Sequence, residues 1–117
     1  HNIKFIFSCG EFGQPFAKTI TYSKIKLLDN LSENIRSHFV YLYEFIEKAR
    51  RAGGNVLVHC LKGMSRSASM VTSYVMIHSQ LQFEDALKYV QSRHPKAYPN
   101  DNFRKQLLEF GQVLEAC

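Results

Sequence analysis

One short stretch of the sequence combines a cysteine, a glycine and an arginine at a spacing that supports phosphate chemistry. Cys60 and Arg66 are separated by five residues, and Gly63 lies between them. A loop of this kind that runs into a helix directs its backbone N–H groups at one point, which creates an anion site. The guanidinium of an arginine matches two phosphate oxygens. The predicted phosphate-binding residues are Leu61, Lys62, Gly63, Met64, Ser65 and Arg66.

Cys60 is the candidate nucleophile of this predicted loop. Donors that hold a phosphate also stabilise a thiolate, and the hydroxyl of Ser67 is close enough in sequence to donate to the same sulfur. A thiolate that faces a bound phosphate is directed at phosphorus. The alternative is an inert buried cysteine, which packs as a small hydrophobic residue. That alternative does not explain the arginine and the serines that follow.

Three segments are predicted to be strands that position this loop. Ile3–Cys9 is rich in β-branched and aromatic residues and stops before Gly10. Thr19–Leu28 alternates apolar and polar residues, which favours a strand with one buried face. Asn55–Cys60 is a short apolar run behind a predicted helix, which predicts a buried, parallel strand.

Four helices are predicted around these strands. The first follows Ser32, a candidate N-cap, and ends at Gly53 and Gly54. The others are Ser65–His78, Phe83–Arg93 and Asn100–Ala116. The order of strands and helices predicts an α/β fold with a central mixed, mainly parallel sheet flanked by helices.

Composition indicates one soluble globular domain. The chain has 117 residues, of which 45% are hydrophobic and 21% are charged, and this excludes a disordered chain. No apolar run approaches the roughly 20 residues of a membrane-spanning helix. The net charge of +5 favours anionic partners in general, although a merely basic surface explains the charge equally well.

The cysteines indicate a reducing compartment. Cys9, Cys60 and Cys117 are odd in number and widely spaced, unlike a disulfide framework or a zinc site. We therefore expect an intracellular protein, cytoplasmic or nuclear, that binds no metal.

The run HCLKGMSRS, followed by ASMVTSYVM, resembles the loop and central helix of the dual-specificity branch of the cysteine-dependent protein tyrosine phosphatases. The resemblance extends from about Ile3 to Leu114. It implies hydrolysis of phosphotyrosine and of phosphoserine or phosphothreonine in proteins through a cysteinyl-phosphate, without a cofactor. Phosphate or sulfate is expected to occupy the loop, and no nucleic-acid partner is predicted.

The resemblance also implies a general acid on the loop before the first helix. Asp29 occupies the matching place, although an aspartate there is also a common turn residue. Glu11, Glu33 and Asp101 are alternatives.

Three further residues receive roles from the resemblance or from strand position. His59 resembles a histidine that supports the loop from behind. Asn100 resembles the Pro-Asn element that begins the last helix, where it caps the helix or supports the loop. Cys9 ends a strand expected to lie beside Asn55–Cys60, so it is either a redox partner of Cys60 or a buried hydrophobic residue.

The whole chain, 1–117, is interpreted as one catalytic domain that begins later than the family domain does. If the family's first strands are absent, one side of Asn55–Cys60 lacks a partner, and a homodimer through that edge is expected. Two alternative functions stay open. One is a phosphatase for phosphoinositides, nucleic-acid ends or glucans, and the other is a non-catalytic phosphate-binding module.

Overall fold

A computed structural model describes residues 3–10, 13–14, 18–60 and 65–116 of the chain. Within these residues, strands and helices form an α/β arrangement. In chain order the elements are β1 (Ile3–Cys9), β2 (Thr21–Ile25), a short 3-10 helix (Arg36–His38), α1 (Phe39–Arg51), β3 (Asn55–Cys60), α2 (Ser65–Ser79), α3 (Phe83–Arg93) and α4 (Asp101–Ala116).

The three strands form a parallel sheet in the order β2-β1-β3. In this register Cys9 at the end of β1 lies between Ile25 of β2 and Cys60 of β3. The carboxyl ends of the strands therefore meet at one edge of the sheet. The predicted α/β fold with a mainly parallel sheet and flanking helices is confirmed.

Helix α2 is the centre of the packing, because it contacts α1, α3, α4 and β3. Three of its buried hydroxyl groups are satisfied within the helix. Ser69 and Thr72 donate to carbonyls four residues earlier and Ser73 to a carbonyl three residues earlier, each at 2.6 Å. Such bonds remove the cost of burying an unpaired hydroxyl. The largest fully buried side chains of the core include Phe7, Ile35, Phe39, Leu42, Phe103 and Leu107.

The last three helices have almost the predicted bounds. Helix α3 begins and ends as predicted, and α2 extends one residue further, to Ser79. Helix α4 begins at Asp101 rather than Asn100, since the Asn100 side chain accepts the Phe103 N–H at 2.8 Å and thereby caps the helix. In the part of the chain that the structure describes, no helix has the length and apolar character needed to cross a bilayer.

The prediction that a helix begins directly after Ser32 is wrong. Ser32 bonds to the Asn30 side chain instead, and α1 begins only at Phe39, after the 3-10 helix. The cause is a tertiary contact. The Gln106 side chain of α4 accepts the backbone N–H of Ile35 at 3.0 Å, and this fixes the segment in a non-helical conformation.

Strand β2 is shorter than the predicted Thr19–Leu28. Its neighbour β1 ends at Cys9, opposite Ile25, and one more bond, from Gly10 N–H to Ile25 O at 3.0 Å, closes the ladder. Beyond that point no strand of the described residues pairs with it, and the chain leaves the sheet and leads to Asp29.

Strand β3 has the predicted bounds and is parallel, but it is less buried than expected. Among the described residues it pairs with β1 on one side and with no strand on the other. Leu57, in the middle of the strand, is 42% exposed.

The turn between α1 and β3 depends on its two glycines, as predicted. Gly53 has a φ of +75°, a conformation that L side chains rarely adopt. Gly54 lies so close to Phe5 that a Cβ there would be 2.6 Å from the ring. The two residues end α1 and let β3 begin directly against β1.

Candidate active site

The candidate nucleophile lies where β3 meets α2. Cys60 is the last residue of β3, and Ser67 lies in the first turn of α2. The Ser67 backbone N–H donates to Cys60 Sγ at 3.4 Å, and Ser67 Oγ lies 3.2 Å from the same sulfur. Both contacts place Ser67, at the N-terminal end of α2, directly against the sulfur. The predicted pairing of Ser67 with Cys60 is therefore present in the structure.

The four residues between Cys60 and Ser65 lie outside the described residues. They are Leu61, Lys62, Gly63 and Met64, and their predicted phosphate contacts stay predictions. Ser65 is buried at the start of α2.

Arg66 connects the loop to the segment that carries Asp29. Its side chain donates to the backbone carbonyl of Leu27 at 3.0 Å. Leu27 is itself buried, two residues before Asp29. This contact orients the guanidinium and fixes where the acid-bearing segment leaves the sheet.

Asp29 is joined to the loop through Asn100. The Asn100 side-chain amide donates to Asp29 Oδ1 at 2.8 Å, and the Asn100 backbone N–H donates to Ser65 Oγ at 2.8 Å. Asn100 therefore both caps α4 and contacts the two predicted halves of the site. Both roles considered for this residue in the sequence are compatible with its geometry.

The alternative acids have different surroundings. The Glu33 carboxylate accepts the backbone N–H of Leu28 at 2.8 Å and that of Asn34 at 3.1 Å, so it closes the loop around Asp29. Asp101 is exposed at the start of α4. Glu11 lies outside the described residues.

His59 supports the sheet behind the loop. It lies opposite Ser8 in the β1–β3 register, and its Nε2 is 2.7 Å from Ser8 Oγ. Burial lowers the pKa of His59 from its usual value of 6.5, which favours the neutral imidazole. This geometry agrees with a structural role rather than a nucleophilic one.

Cys9 is a fully buried thiol directly beside the candidate nucleophile. It is the register partner of Cys60, and both are free cysteines. Burial, followed by the charge of Cys60, raises the pKa of Cys9 to about 12, against an opposing effect of Arg66. Cys9 is thus a protonated thiol at neutral pH.

Several residues at the site have no motif that reveals them in the sequence. The contact of Ser8 with His59 can be anticipated once the two predicted strands are paired in register. The contact of Leu27 cannot, because it is made by a backbone carbonyl, which every residue has. The amide side chains of Asn102 and Gln106 contact the segment that carries Asp29 from α4, and their sequence positions give no indication of this.

Among the described residues, no three His, Cys, Asp or Glu side chains converge as they would around a metal ion.

The comparisons with known proteins agree with this geometry. The sequence model of the dual specificity phosphatase catalytic domain matches residues 1–113. The chain is 42% identical over 111 residues to human dual specificity protein phosphatase 15, covering 95% of this chain and 38% of that protein. It is 43% identical over 93 residues to tyrosine-protein phosphatase vhp-1 of Caenorhabditis elegans, covering 80% of this chain and 14% of that protein.

The solved structures support the same assignment. A crystal structure of DUSP15 superimposes with a TM-score of 0.87 at 42% identity, covering 93% of this chain and 70% of that one. The chain belongs to the dual specificity phosphatase catalytic domain family. It spans well under half the length of the two curated relatives named above.

The surroundings of His59 predict a pH-dependent stability. As the pH falls below 6.5, the unfolded chain takes up a proton on His59 before the folded chain does. The free energy of unfolding is then expected to decrease, and this decrease should be smaller in His59→Gln. Urea unfolding of both proteins between about pH 5 and pH 8 measures the difference.

His94→Gln is the control, because His94 is an exposed histidine after α3. It should retain the pH dependence of the wild type. Identical pH profiles for the wild type and His59→Gln would contradict the assignment.

Proposed function

We propose that this chain is a phosphoprotein phosphatase domain that hydrolyses phosphotyrosine and phosphoserine or phosphothreonine through a cysteinyl-phosphate. The observation that carries the proposal is the arrangement around Cys60. Its sulfur is contacted by Ser67 at the start of α2, and Asn100 links the start of the same helix to a carboxylate. A supported thiolate and a linked carboxylate are the two groups that this reaction requires.

The proposed first step transfers the phosphoryl group to sulfur. The Cys60 thiolate attacks phosphorus, and the bond from phosphorus to the substrate oxygen breaks. Asp29 donates a proton to that oxygen, so the product leaves as a neutral alcohol or phenol. Arg66 and the loop N–H groups bind the phosphate oxygens and stabilise the charge of the transition state.

The proposed second step returns the enzyme to its starting state. Asp29, now ionised, accepts a proton from a water molecule that attacks the cysteinyl-phosphate. The sulfur–phosphorus bond breaks, orthophosphate leaves, and Ser67 stabilises the departing Cys60 thiolate. The thiolate, the guanidinium and the backbone dipoles supply what a metal would otherwise supply, so the proposed reaction uses no metal or cofactor.

Phosphoproteins are the proposed substrates and partners. Relatives at about 40% identity are named dual specificity or tyrosine phosphatases. We also propose that residues 1–117 act as one catalytic domain and that inorganic phosphate or sulfate occupies the loop. The odd number and wide spacing of the cysteines support the proposal of a reducing, intracellular location, cytoplasmic or nuclear.

Release of phosphate from an aryl phosphate and from phosphotyrosine, phosphoserine and phosphothreonine peptides, with EDTA present, tests the proposal. Turnover should persist in EDTA and disappear in Cys60→Ser. Asp29→Asn should lose about 10²-fold or more on peptide substrates, because proton donation to the leaving oxygen typically contributes about 10²–10⁴-fold. The loss should be smaller on the aryl phosphate, whose leaving group needs less help.

Two matched variants serve as controls. Cys117→Ser removes a cysteine to which the proposal gives no role, and Asp101→Asn removes an alternative acid. Both should retain near-wild-type turnover. A folded wild-type chain without turnover would favour a phosphate-binding module, and a clear preference for phosphoinositides, nucleic-acid ends or glucans would assign the site to those substrates.

We also propose that Cys9 protects Cys60 during oxidation. Neighbouring strands lie about 4.8 Å apart, within the Cα separation of a disulfide. Peroxide would oxidise the Cys60 thiolate to a sulfenic acid. Cys9 would then attack that sulfur, forming a disulfide while its proton leaves with the hydroxyl group as water. Cellular thiols would reduce the disulfide.

Mass spectrometry after mild peroxide treatment tests the redox proposal. The wild type should contain a peptide linkage between Cys9 and Cys60 and recover activity with dithiothreitol. Cys9→Ser should instead accumulate sulfinic or sulfonic acid at Cys60 and recover little activity. Over-oxidised Cys60 beside a free Cys9 thiol in the wild type would refute the proposal.

A homodimer through β3 is the remaining proposal. On the side away from β1, no strand of the described part of the chain covers β3, whose sequence NVLVHC contains no lysine, acidic residue or proline. Edges of this composition tend to pair with another chain. A second copy would satisfy the edge by symmetric pairing about a twofold axis.

Light scattering measures this association. The wild type should form dimers at micromolar concentration, whereas Leu57→Lys should be monomeric because it places a charge on the edge. Val40→Lys, at an exposed apolar position of α1, should dimerise like the wild type. A wild-type chain that stays monomeric at all soluble concentrations would contradict the proposal.

A further inference from the structure

The first two turns of α4 present amide side chains to the segment that carries Asp29. Asn102 and Gln106 are four residues apart on one face of the helix, and the Gln106 amide donates to Asn102 Oδ1 at 2.9 Å. Asn100, the cap of the helix, precedes them. Together these three residues bond to the chain between positions 29 and 36.

Gln106 makes the most extensive contacts of the three. Its Oε1 accepts the N–H groups of Ile35 and Arg36, each at 3.0 Å. A side chain that is distant in sequence thus caps the start of the 3-10 helix. Its amide donates to Glu33 O at 2.8 Å. Asn102 donates to the same carbonyl at 2.8 Å. Residues 33–36 are therefore bonded to α4 through a carbonyl at one end and through N–H groups at the other.

The segment is anchored at its two ends by the buried side chains of Leu27 and Ile35, and the stretch between them depends on hydrogen bonds. Residues 26–35 belong to no strand or helix, and Asp29 with both its neighbours, Leu28 and Asn30, is exposed. A carboxylate on such a segment would ordinarily sample many positions. The bonds from α4 replace the regular secondary structure that the segment lacks.

We propose that Gln106, assisted by Asn102, is a positioning residue for Asp29 in the proposed phosphatase reaction. General-acid catalysis requires the carboxyl group to remain within hydrogen-bond reach of the leaving oxygen. Asn100 fixes α4 to Ser65 at the start of α2. Helix α4 therefore sets the distance between the phosphate site and the acid. This inference rests on the proposed function and adds a residue to it.

The test compares variants on substrates that differ in their need for the acid. Phenyl phosphate has a poor leaving group, and p-nitrophenyl phosphate has a good one. Gln106→Leu removes the amide at similar size. Asn102→Ala removes fewer bonds, so it provides a second, milder variant. Gln112→Leu, the same substitution at an exposed position of α4, is the matched control.

Gln106→Leu should lose about tenfold in kcat on phenyl phosphate and about twofold or less on p-nitrophenyl phosphate, as expected for a partial loss of general-acid catalysis. Asn102→Ala should show the same selectivity with a smaller loss. In the Asp29→Asn background Gln106→Leu should add little, because both changes act on one step. Inhibition by inorganic phosphate should stay unchanged in all of them.

Equal losses on the two substrates, or full additivity with Asp29→Asn, would overturn the inference in favour of a purely structural role. Hydrogen exchange of the peptide covering residues 28–36 gives a readout that needs no activity. Exchange should be faster in Gln106→Leu than in Gln112→Leu. If the wild type hydrolyses neither substrate, the proposed function fails, and unchanged exchange would then independently refute the contact from α4.

Discussion

The hydrogen bonds of Asn100 are the constraint on which the proposed site depends. Its backbone holds Ser65, its side-chain oxygen caps α4, and its side-chain nitrogen holds Asp29. Each bond contributes only about 1 kcal/mol to stability. Their importance is geometric, because one residue fixes the separation of two groups that come from segments far apart in the sequence. Arg66 adds a second connection, which joins α2 directly to the segment that carries Asp29 through a hydrogen bond to the Leu27 carbonyl.

The parts of the fold that the sequence predicts well are those with strong local signals. Ile3–Cys9 ends at a glycine, Asn55–Cys60 begins after two glycines, and Phe83–Arg93 ends shortly before a proline, so their bounds agree with the structure. The start of α1 is not predictable in this way. Its position depends on a bond between Ile35 and Gln106, which are 71 residues apart in sequence. Local capping preferences cannot anticipate a helix start that a distant side chain decides.

The same difference between local signals and long-range contacts decides which parts of the candidate site the sequence predicts. The contact between Cys60 and Ser67 follows from a strand that ends at a cysteine and a helix that begins a few residues later. Asp29 required the family resemblance, because an aspartate in a turn is common. Asn102 and Gln106 were missed, since an amide on a helix face carries no local sign of what it contacts.

The two cysteines at the edge of the sheet illustrate how one geometry creates opposite chemical environments. Parallel pairing of β1 with β3 places Cys9 and Cys60 side by side, whatever their roles. Cys60 contacts Ser67 at the start of α2, whereas Cys9 is fully buried and its pKa is raised to about 12. A charge on Cys60 itself opposes a second charge on Cys9. Burial is the larger cause of the raised pKa, so the position of Cys9 inside the sheet keeps it a protonated thiol at neutral pH. The same strand pairing that places Cys9 beside the proposed nucleophile therefore also keeps it from being a second thiolate.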